Sequence, residues 1–366
     1  MIVVLPELTL TNQHPDLPRD PAIGDVSADP LPLPLCTVCI ANYNGLDLLG
    51  PCIDSVLAQD CGFPVEIIVH DDCSTDASLT FLRERYPEVR ILASDTNVGF
   101  CVSNNRMVAQ AQGDFILLLN NDAWLAPDAL RTLANHAQVQ TTPGILGLAQ
   151  YDAETGELVD IGSVLDPFYN PMPNTNPERR DVGHVIGACF WIPRRLWVEL
   201  GGFPAWFHTL AEDLYLCCRA RLAGYPVQAL ATSRFHHWIG RNLGGGKTSG
   251  PVKTSYVRRH LTERNKCFIM SIVTPGPLIV VLLPVHLVLL AAEGLLLSLV
   301  KRELGPWRQI YRPALTGFWA ERRRVWAERV TVQASRRVTI REFLSAFSPI
   351  PFKLRVLLRH GLPQLG

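Results

Sequence analysis

Between residues 35 and 138 the chain repeats one pattern four times: a short apolar run, a polar cluster, then an amphipathic stretch. The apolar runs are LCTVCIA (35–41), VEIIVH (65–70), VRIL (89–92) and FILLL (115–119), and each is short enough to be a buried strand. The stretches 46–59, 76–85, 100–112 and 127–138 have helical periodicity, with Asp76 as a plausible cap and Pro127 at a helix start. Strands alternating with helices of this length form βαβ units. The expected class is therefore α/β: a Rossmann-like, mostly parallel central sheet flanked by helices.

Residues 144–231 are less regular. IGACFWI (186–192) and VQALA (227–231) read as strands, EDLYLCCRARLAG (212–224) as a helix ending at Gly224, and FHHWIGRNLGGG (235–246) as a polar glycine-rich loop. Ten cysteines show no disulfide-like framework and read as small core residues in a reducing compartment. Cys36 and Cys39 form a CxxC, but a strand sends i and i+3 to opposite faces, so they are poorly placed to chelate together.

The chemistry is concentrated where the strands stop. Asn42-Tyr43-Asn44, Asp71-Asp72, Asn97-Val98-Gly99 and Asn120-Asn121-Asp122 each follow an apolar run. One such cluster is adequately explained as a turn. Four of them on the carboxyl edge of a parallel sheet build an acidic, amide-lined cleft, where ligands of open α/β sheets bind. The first strand–helix turn has no GxGxxG, and the chain has no GxxxxGK[ST], so neither a dinucleotide fingerprint nor a P-loop is present. Carboxylates repel phosphate directly but can hold it through a divalent cation. Asp71 or Asp72 can alternatively accept hydrogen bonds from a base or ribose.

Seven segments in this order resemble the glycosyltransferase family 2 enzymes, whose fold is GT-A: IANYNG (40–45), VHDDCSTDAS (69–78), NVGFCVSNNRMVAQAQGD (97–114), LLLNNDAW (117–124), GACFWIPRRLWVELGGF (187–203), AEDLYLCCRARLAGY (211–225) and HHWIGRNLG (236–244). Within that family the chain is most similar to bacterial rhamnosyl- and related sugar transferases of cell-envelope polysaccharides. The resemblance implies an inverting, metal-dependent transfer from a UDP- or dTDP-sugar to a saccharide or lipid-linked saccharide. It places Asp122 as the metal ligand in the family's DxD position, whose first residue is here Asn120. It gives Asp72, with Asp71, Asn42, Asn44, Asn97, Gly99 and Asn120, to the donor nucleotide, and the catalytic base to Asp213 with Glu212 beside it. His237, or its neighbour His236, corresponds to a late histidine that helps ligate the metal. Imidazole suits Mn²⁺ better than Mg²⁺. Two departures fall on the acceptor side: Tyr215 where a second Asp is common, and Pro204-Ala205 where Asp-Glu is common.

Beyond the resemblance lies LIVVLLPVHLVLLAAEGLLLSLV (278–300), long enough to span a bilayer but interrupted by Pro284, His286 and Glu293. Both flanks are basic, so one span cannot keep both inside; a broken, re-entrant or in-plane hairpin is expected instead. Residues 301–366 hold 14 Lys and Arg against 4 Asp and Glu, although the whole chain has 34 of each. A basic tail after an apolar segment fits a membrane surface at the cytoplasmic face of the inner (plasma) membrane better than nucleic acid. The proline-rich stretch 1–34 reads as a weakly ordered leader, with MIVVL too short for a secretory signal. The expected organisation is thus a leader (1–34), a GT-A domain (35–245, with a nucleotide-binding half to 143 and an acceptor half from 144) and a helical C-terminal region (246–366). A non-catalytic nucleotide-sugar binder or scaffold at the membrane is the alternative; it would tolerate loss of Asp213.

Overall fold

The computed structural model describes residues 35–238 and 253–353, with short pieces of the C-terminal end at 356, 358 and 364–365. The leader and most of the glycine-rich loop (239–252) lie outside the described residues. The first half follows the expected alternation: β1 (Cys36–Asn42), α1 (Leu46–Leu57), β2 (Val65–Asp71), α2 (Ser78–Arg85), β3 (Arg90–Ala93), α3 (Phe100–Gln110) and β4 (Phe115–Asn120). β5 (Ala123–Leu125), α4 (Ala129–Val139) and β6 (Ile145–Asp152) follow, then the short β7 (Leu158–Asp160), β8 (Ser163–Leu165) and β9 (Pro171–Pro173). β10 (Cys189–Pro193), α5 (Arg194–Leu200), α6 (Glu212–Leu222) and β11 (Val227–His237) complete the sheet region. Two helix starts shift. α2 begins after Asp76, which accepts the N–H of Ser78 at 3.0 Å, and α4 begins after Asp128, beyond Pro127. Gly224 follows α6 with φ 87°, its N–H on Arg221 O and that of Tyr225 on Ala220 O, a Schellman ending that favours glycine.

The sheet is ordered β3-β2-β1-β4-β10-β6-β11-β5, with β7 paired to β6. Pairs among β3, β2, β1 and β4 are parallel, as expected. Beyond β4 the sheet becomes mixed, because β10 runs antiparallel to both β4 and β6. β1 has β2 on one side and β4 on the other, so the chain reverses its direction of progress between them. That is the topological switch point of an open α/β sheet, where the carboxyl ends of the strands open a crevice. Side-chain alternation gives each face its own core. Cys36, Val38, Ile40, Leu117 and Leu119 pack with α1 and α4; Cys39, Ile68, Ile116 and Leu118 pack with α3 and α6. Cys36 and Cys39 indeed part to opposite faces, and all ten cysteines are free thiols.

FHH is strand rather than loop. β11 continues to His237 through an irregularity between Leu230 and Arg234, and this correction sets the direction of both histidines. The C-terminal region forms α7 (Tyr256–Val273), α8 (Gly276–Lys301), α9 (Arg312–Ala320) and α10 (Arg322–Ala334). Cys267, Phe268, Ile269 and Met270 of α7 belong to the same hydrophobic cluster as Phe190 and Phe207. Tyr215 is buried, and its hydroxyl bonds Glu328 on α10 at 2.7 Å. The tyrosine at this position therefore docks α6 on the C-terminal helices.

α8 is one unbroken helix through Pro284, so the expected hairpin does not form within it. Its polar residues face protein. Glu293 is paired with Arg259 and Lys353, each at 2.7 Å, while His286, Gly294 and Ser298 are buried. Val280, Val281, Val288, Leu289, Leu295 and Leu299 are exposed on the other side. It is the one helix among the described residues long and apolar enough to cross a membrane.

Candidate active site

The four strand-end clusters do meet on one edge, where they bind one another. Asn42 at the end of β1 donates to Asp71 Oδ2 at 3.0 Å and accepts from Asn121 Nδ2 at 2.8 Å. Gly45 makes room for this pair, since a side chain there would collide with both amides. Asp71 Oδ1 takes the N–H of Ser74, and Asn44 Oδ1 takes that of Thr75 at 2.7 Å. Asp72 is buried and accepts the N–H groups of Val98 (2.7 Å) and Gly99 (2.9 Å), while Asn97 donates to Asp72 O. A base or ribose contact would use the remaining lone pairs of Asp72. Gly99 has φ 85° and lies against the His208 ring, a position with no room for a Cβ.

At the turn between β4 and β5 stands Asp122. β11 pairs His237 with Ala123 and His236 with Trp124, so strand alternation sends the two imidazoles to opposite sides. His237 reaches Asp122, Nε2 to Oδ1 3.2 Å, and Gln150 fixes its other nitrogen at 3.1 Å. His236 turns away to stack on Trp124, ring centroids 5.4 Å apart. Two cis ligands of an octahedral cation, each at about 2.1 Å, lie roughly 3 Å apart, so Asp122 and His237 have the spacing of one edge. Asn120 Oδ1 is buried with no hydrogen-bond partner. Among the described residues no three His, Cys, Asp or Glu cluster as a metal cage. The donor set therefore fits a cation completed by phosphate and water, the usual arrangement for Mg²⁺-type sites on phosphorylated substrates.

Glu212 and Asp213 open α6, and burial separates them. Asp213 Oδ2 accepts the Gly187 N–H at 2.8 Å and lies 3.2 Å from His184 Nε2; Oδ1 accepts the Leu214 N–H. Burial alone would raise its pKa, but His184 and these N–H groups outweigh burial and hold the carboxyl below its ordinary value. Glu212 is buried, and Asp213 is half-buried. Burial and the Asp213 charge push the Glu212 carboxyl upward. Environments that drive two carboxyls apart in this way leave Asp213 ionised and able to accept a proton, and favour the protonated form of Glu212. The Gly187–Ala188 pair ties this acid to the β4 edge, because Ala188 O accepts the Asn120 N–H at 3.1 Å.

Two further residues join the site without a sequence signal. His184 sits in the irregular stretch before β10, in no recognisable motif. Arg258 belongs to the basic flank before 278–300, yet it lies within electrostatic reach of Asp213, Glu212 and Asp122.

The sequence model described as Glycosyl transferase family 2 matches residues 37–200. N-acetylglucosaminyl-diphospho-decaprenol L-rhamnosyltransferase of Mycobacterium tuberculosis is 27% identical over 205 residues, covering 48% of this chain and 67% of that protein. Succinoglycan biosynthesis protein ExoO of Rhizobium meliloti is 37% identical over 106 residues, 29% of this chain and 30% of its own length. Among solved structures, GalNAc-T7 with UDP, GalNAc and Mn²⁺ superposes with a TM-score of 0.53 at 16% identity, over 66% of this chain and 48% of that one. S. aureus TarS gives 0.52 at 16% identity, over 85% and 54%. These two likenesses show the fold, a GT-A sheet with flanking helices. The family match across β1 to α5, with the rhamnosyltransferase likeness, makes residues 37–200 a glycosyl transferase family 2 segment and the chain a glycosyltransferase.

Proposed function

We propose that the enzyme transfers a sugar, with inversion, from a UDP- or dTDP-sugar to a saccharide or lipid-linked saccharide acceptor in envelope polysaccharide synthesis. The observation that carries this reading is the Asp122–His237 pair at the β4 edge, 3.2 Å apart and beside the Asn42–Asp71 network. Asn42, Asn44, Asp71, Asp72, Asn97, Gly99 and Asn120 form the donor pocket. A Mn²⁺ or Mg²⁺ ion held by Asp122 and His237 would neutralise charge on the leaving diphosphate. Arg258 adds a fixed positive charge on the same side. Asp213 takes the proton of the acceptor hydroxyl as its oxygen bonds the anomeric carbon. The bond from that carbon to the diphosphate oxygen breaks on the opposite face, so the configuration inverts. The rhamnosyltransferase named above supports a lipid-diphosphate acceptor.

Calorimetry with UDP, dTDP and GDP, in Mn²⁺ and then in EDTA, tests the donor site. One uridine- or thymidine-type nucleotide binds, and EDTA weakens it at least about tenfold, because Asp122 and His237 supply two cation ligands and the diphosphate completes the site. Absence of binding by folded protein to all three removes the donor-site reading.

We further propose that α8 lies in the plane of an anionic membrane on the cytoplasmic side. Its apolar face is open, its polar face packs on α7, and spanning would draw Arg258, Arg259 and Arg264 of α7 into hydrocarbon at several kcal/mol each. Arg302, Arg322 and Arg323 are exposed nearby in the chain and match anionic headgroups. Val288→Lys with Leu296→Lys removes two apolar contacts, each about 1.5–3 kcal/mol when buried. Flotation with phosphatidylglycerol vesicles then falls at least tenfold; unchanged flotation excludes this face as the attachment.

A further inference from the structure

The chain reaches Glu212 through backbone that side-chain-bearing residues avoid. His208 has φ 68° and ψ −63°, the centre of a γ-turn closed by Thr209 N–H on Phe207 O at 2.9 Å. Leu210 follows at φ 70° and Ala211 at φ 65°. A γ-turn of this hand is rare and strained, and non-glycine residues at positive φ persist only where their surroundings over-determine them. Three such residues lie within the four positions before the candidate base pair.

One side chain answers for them. Asn265, wholly buried in the middle of α7, donates its amide to the carbonyls of Leu210 (2.7 Å), Thr209 (2.9 Å) and Phe207 (3.3 Å). Its Oδ1 accepts from Arg264 Nε and Nη2, each at 3.0 Å, and Arg264 Nη2 also reaches Phe207 O at 3.1 Å. The amide therefore has one workable orientation, since a flip would set its oxygen against three carbonyls. On the far side, His208 O accepts the Cys101 N–H at 3.1 Å, and the ring occupies the space that Gly99 leaves. The turn is gripped between the nucleotide-side loop and α7, which lies beyond the segment matched by the family.

We propose that Asn265 is a positioning residue: it holds the strained turn 207–211 and so fixes where α6 begins and where Asp213 stands. The C-terminal helices thus complete the active site as well as meeting the membrane. The inference rests on the reading of Asp213 and Glu212 as the base site.

The test compares Asn265→Leu, which keeps the branching at Cγ but loses the donors, with Asn265→Ser, which keeps one donor. Turnover is followed as UDP or dTDP released from UDP-glucose, UDP-N-acetylglucosamine and dTDP-rhamnose. Misplacing a catalytic group by about 1 Å costs about 10²-fold, so kcat falls by that order in the leucine variant and less in the serine variant. Donor KM and UDP affinity in Mn²⁺ stay within about threefold, because Asn265 bonds the 207–211 turn and not the ends of β1, β2 and β4, which carry most of the donor pocket. Amide exchange across 208–214 quickens, while that of β1, β2 and β4 does not. Adding Ala211→Gly to Asn265→Leu relieves positive-φ strain and restores part of kcat. Unchanged kcat and exchange overturn the proposal. So does a parallel fall of kcat, UDP affinity and melting temperature without glycine rescue, which would make Asn265 a core residue only. If Asp213→Asn and Glu212→Gln both remain active, the base reading fails, and the exchange comparison alone decides whether Asn265 holds the turn.

Discussion

Asp122→Asn loses the cation-dependent part of nucleotide binding while the protein stays folded. The amide keeps the shape of the buried turn but removes the one carboxylate that faces His237 at 3.2 Å. A lone imidazole and a neutral Asn120 cannot hold a hard divalent cation against water. Even partners outside the ligand set cost about 10–100-fold in metal affinity when mutated, so a ligand itself costs at least the upper end of that range. UDP or dTDP affinity in Mn²⁺ then drops about 100-fold, to the level wild type shows in EDTA. Asn120→Asp tests the same site in the other direction. It adds a second carboxylate where Asn120 Oδ1 is buried without a partner, and Mn²⁺ affinity rises. An Asp122→Asn protein whose binding still responds to EDTA as wild type does removes the cation from this edge.

The sequence is most legible where local periodicity decides. β1, β2 and β4 begin and end within about a residue of the expected runs, because a buried strand between two helices has a short, unbroken apolar signature. Their polar ends were legible for the same reason: four clusters in one register of the repeat must share an edge. Direction beyond β4 was not legible. A helical crossover forces parallel pairing, but β10 arrives from the irregular stretch 152–188, and nothing local sets its sense. His237 was recognisable only as one of two adjacent histidines. The strand register against Ala123 and Trp124 distinguishes them, and that register depends on the irregularity between Leu230 and Arg234. His184 and Asn265 act on residues 29 and 55 or more positions away, so no spacing rule could find them. Composition reported α8 as a broken membrane segment because it counts Pro284, His286 and Glu293 as interruptions. The structure puts His286 and Glu293 on the packed face, where Glu293 meets Arg259 and Lys353.

Asp213→Asn removes turnover and spares donor binding. The substitution keeps a hydrogen-bonding side chain of the same size beside Gly187 and His184 but removes the proton acceptor. General-base catalysis contributes about 10²–10⁴-fold, and kcat falls by that amount while UDP affinity in Mn²⁺ is unchanged. Glu212→Gln is the informative companion. Burial and the Asp213 charge favour its protonated form, so a neutral amide changes little if Asp213 is the base and much if the roles are reversed. The pH profile separates the same alternatives. The Asp213 carboxyl is held below its ordinary value by His184 and by the Gly187 and Leu214 N–H groups, despite burial. Protonation of the base therefore extinguishes kcat/KM only on the acid side, below the usual carboxylate range. His184→Gln takes away a group that favours the ionised form, so the acid limb moves to higher pH with the plateau largely kept. An acid limb that ignores His184, together with an Asp213→Asn enzyme of near-normal kcat, would leave the nucleotide cleft intact and return the chain to the class of non-catalytic binders.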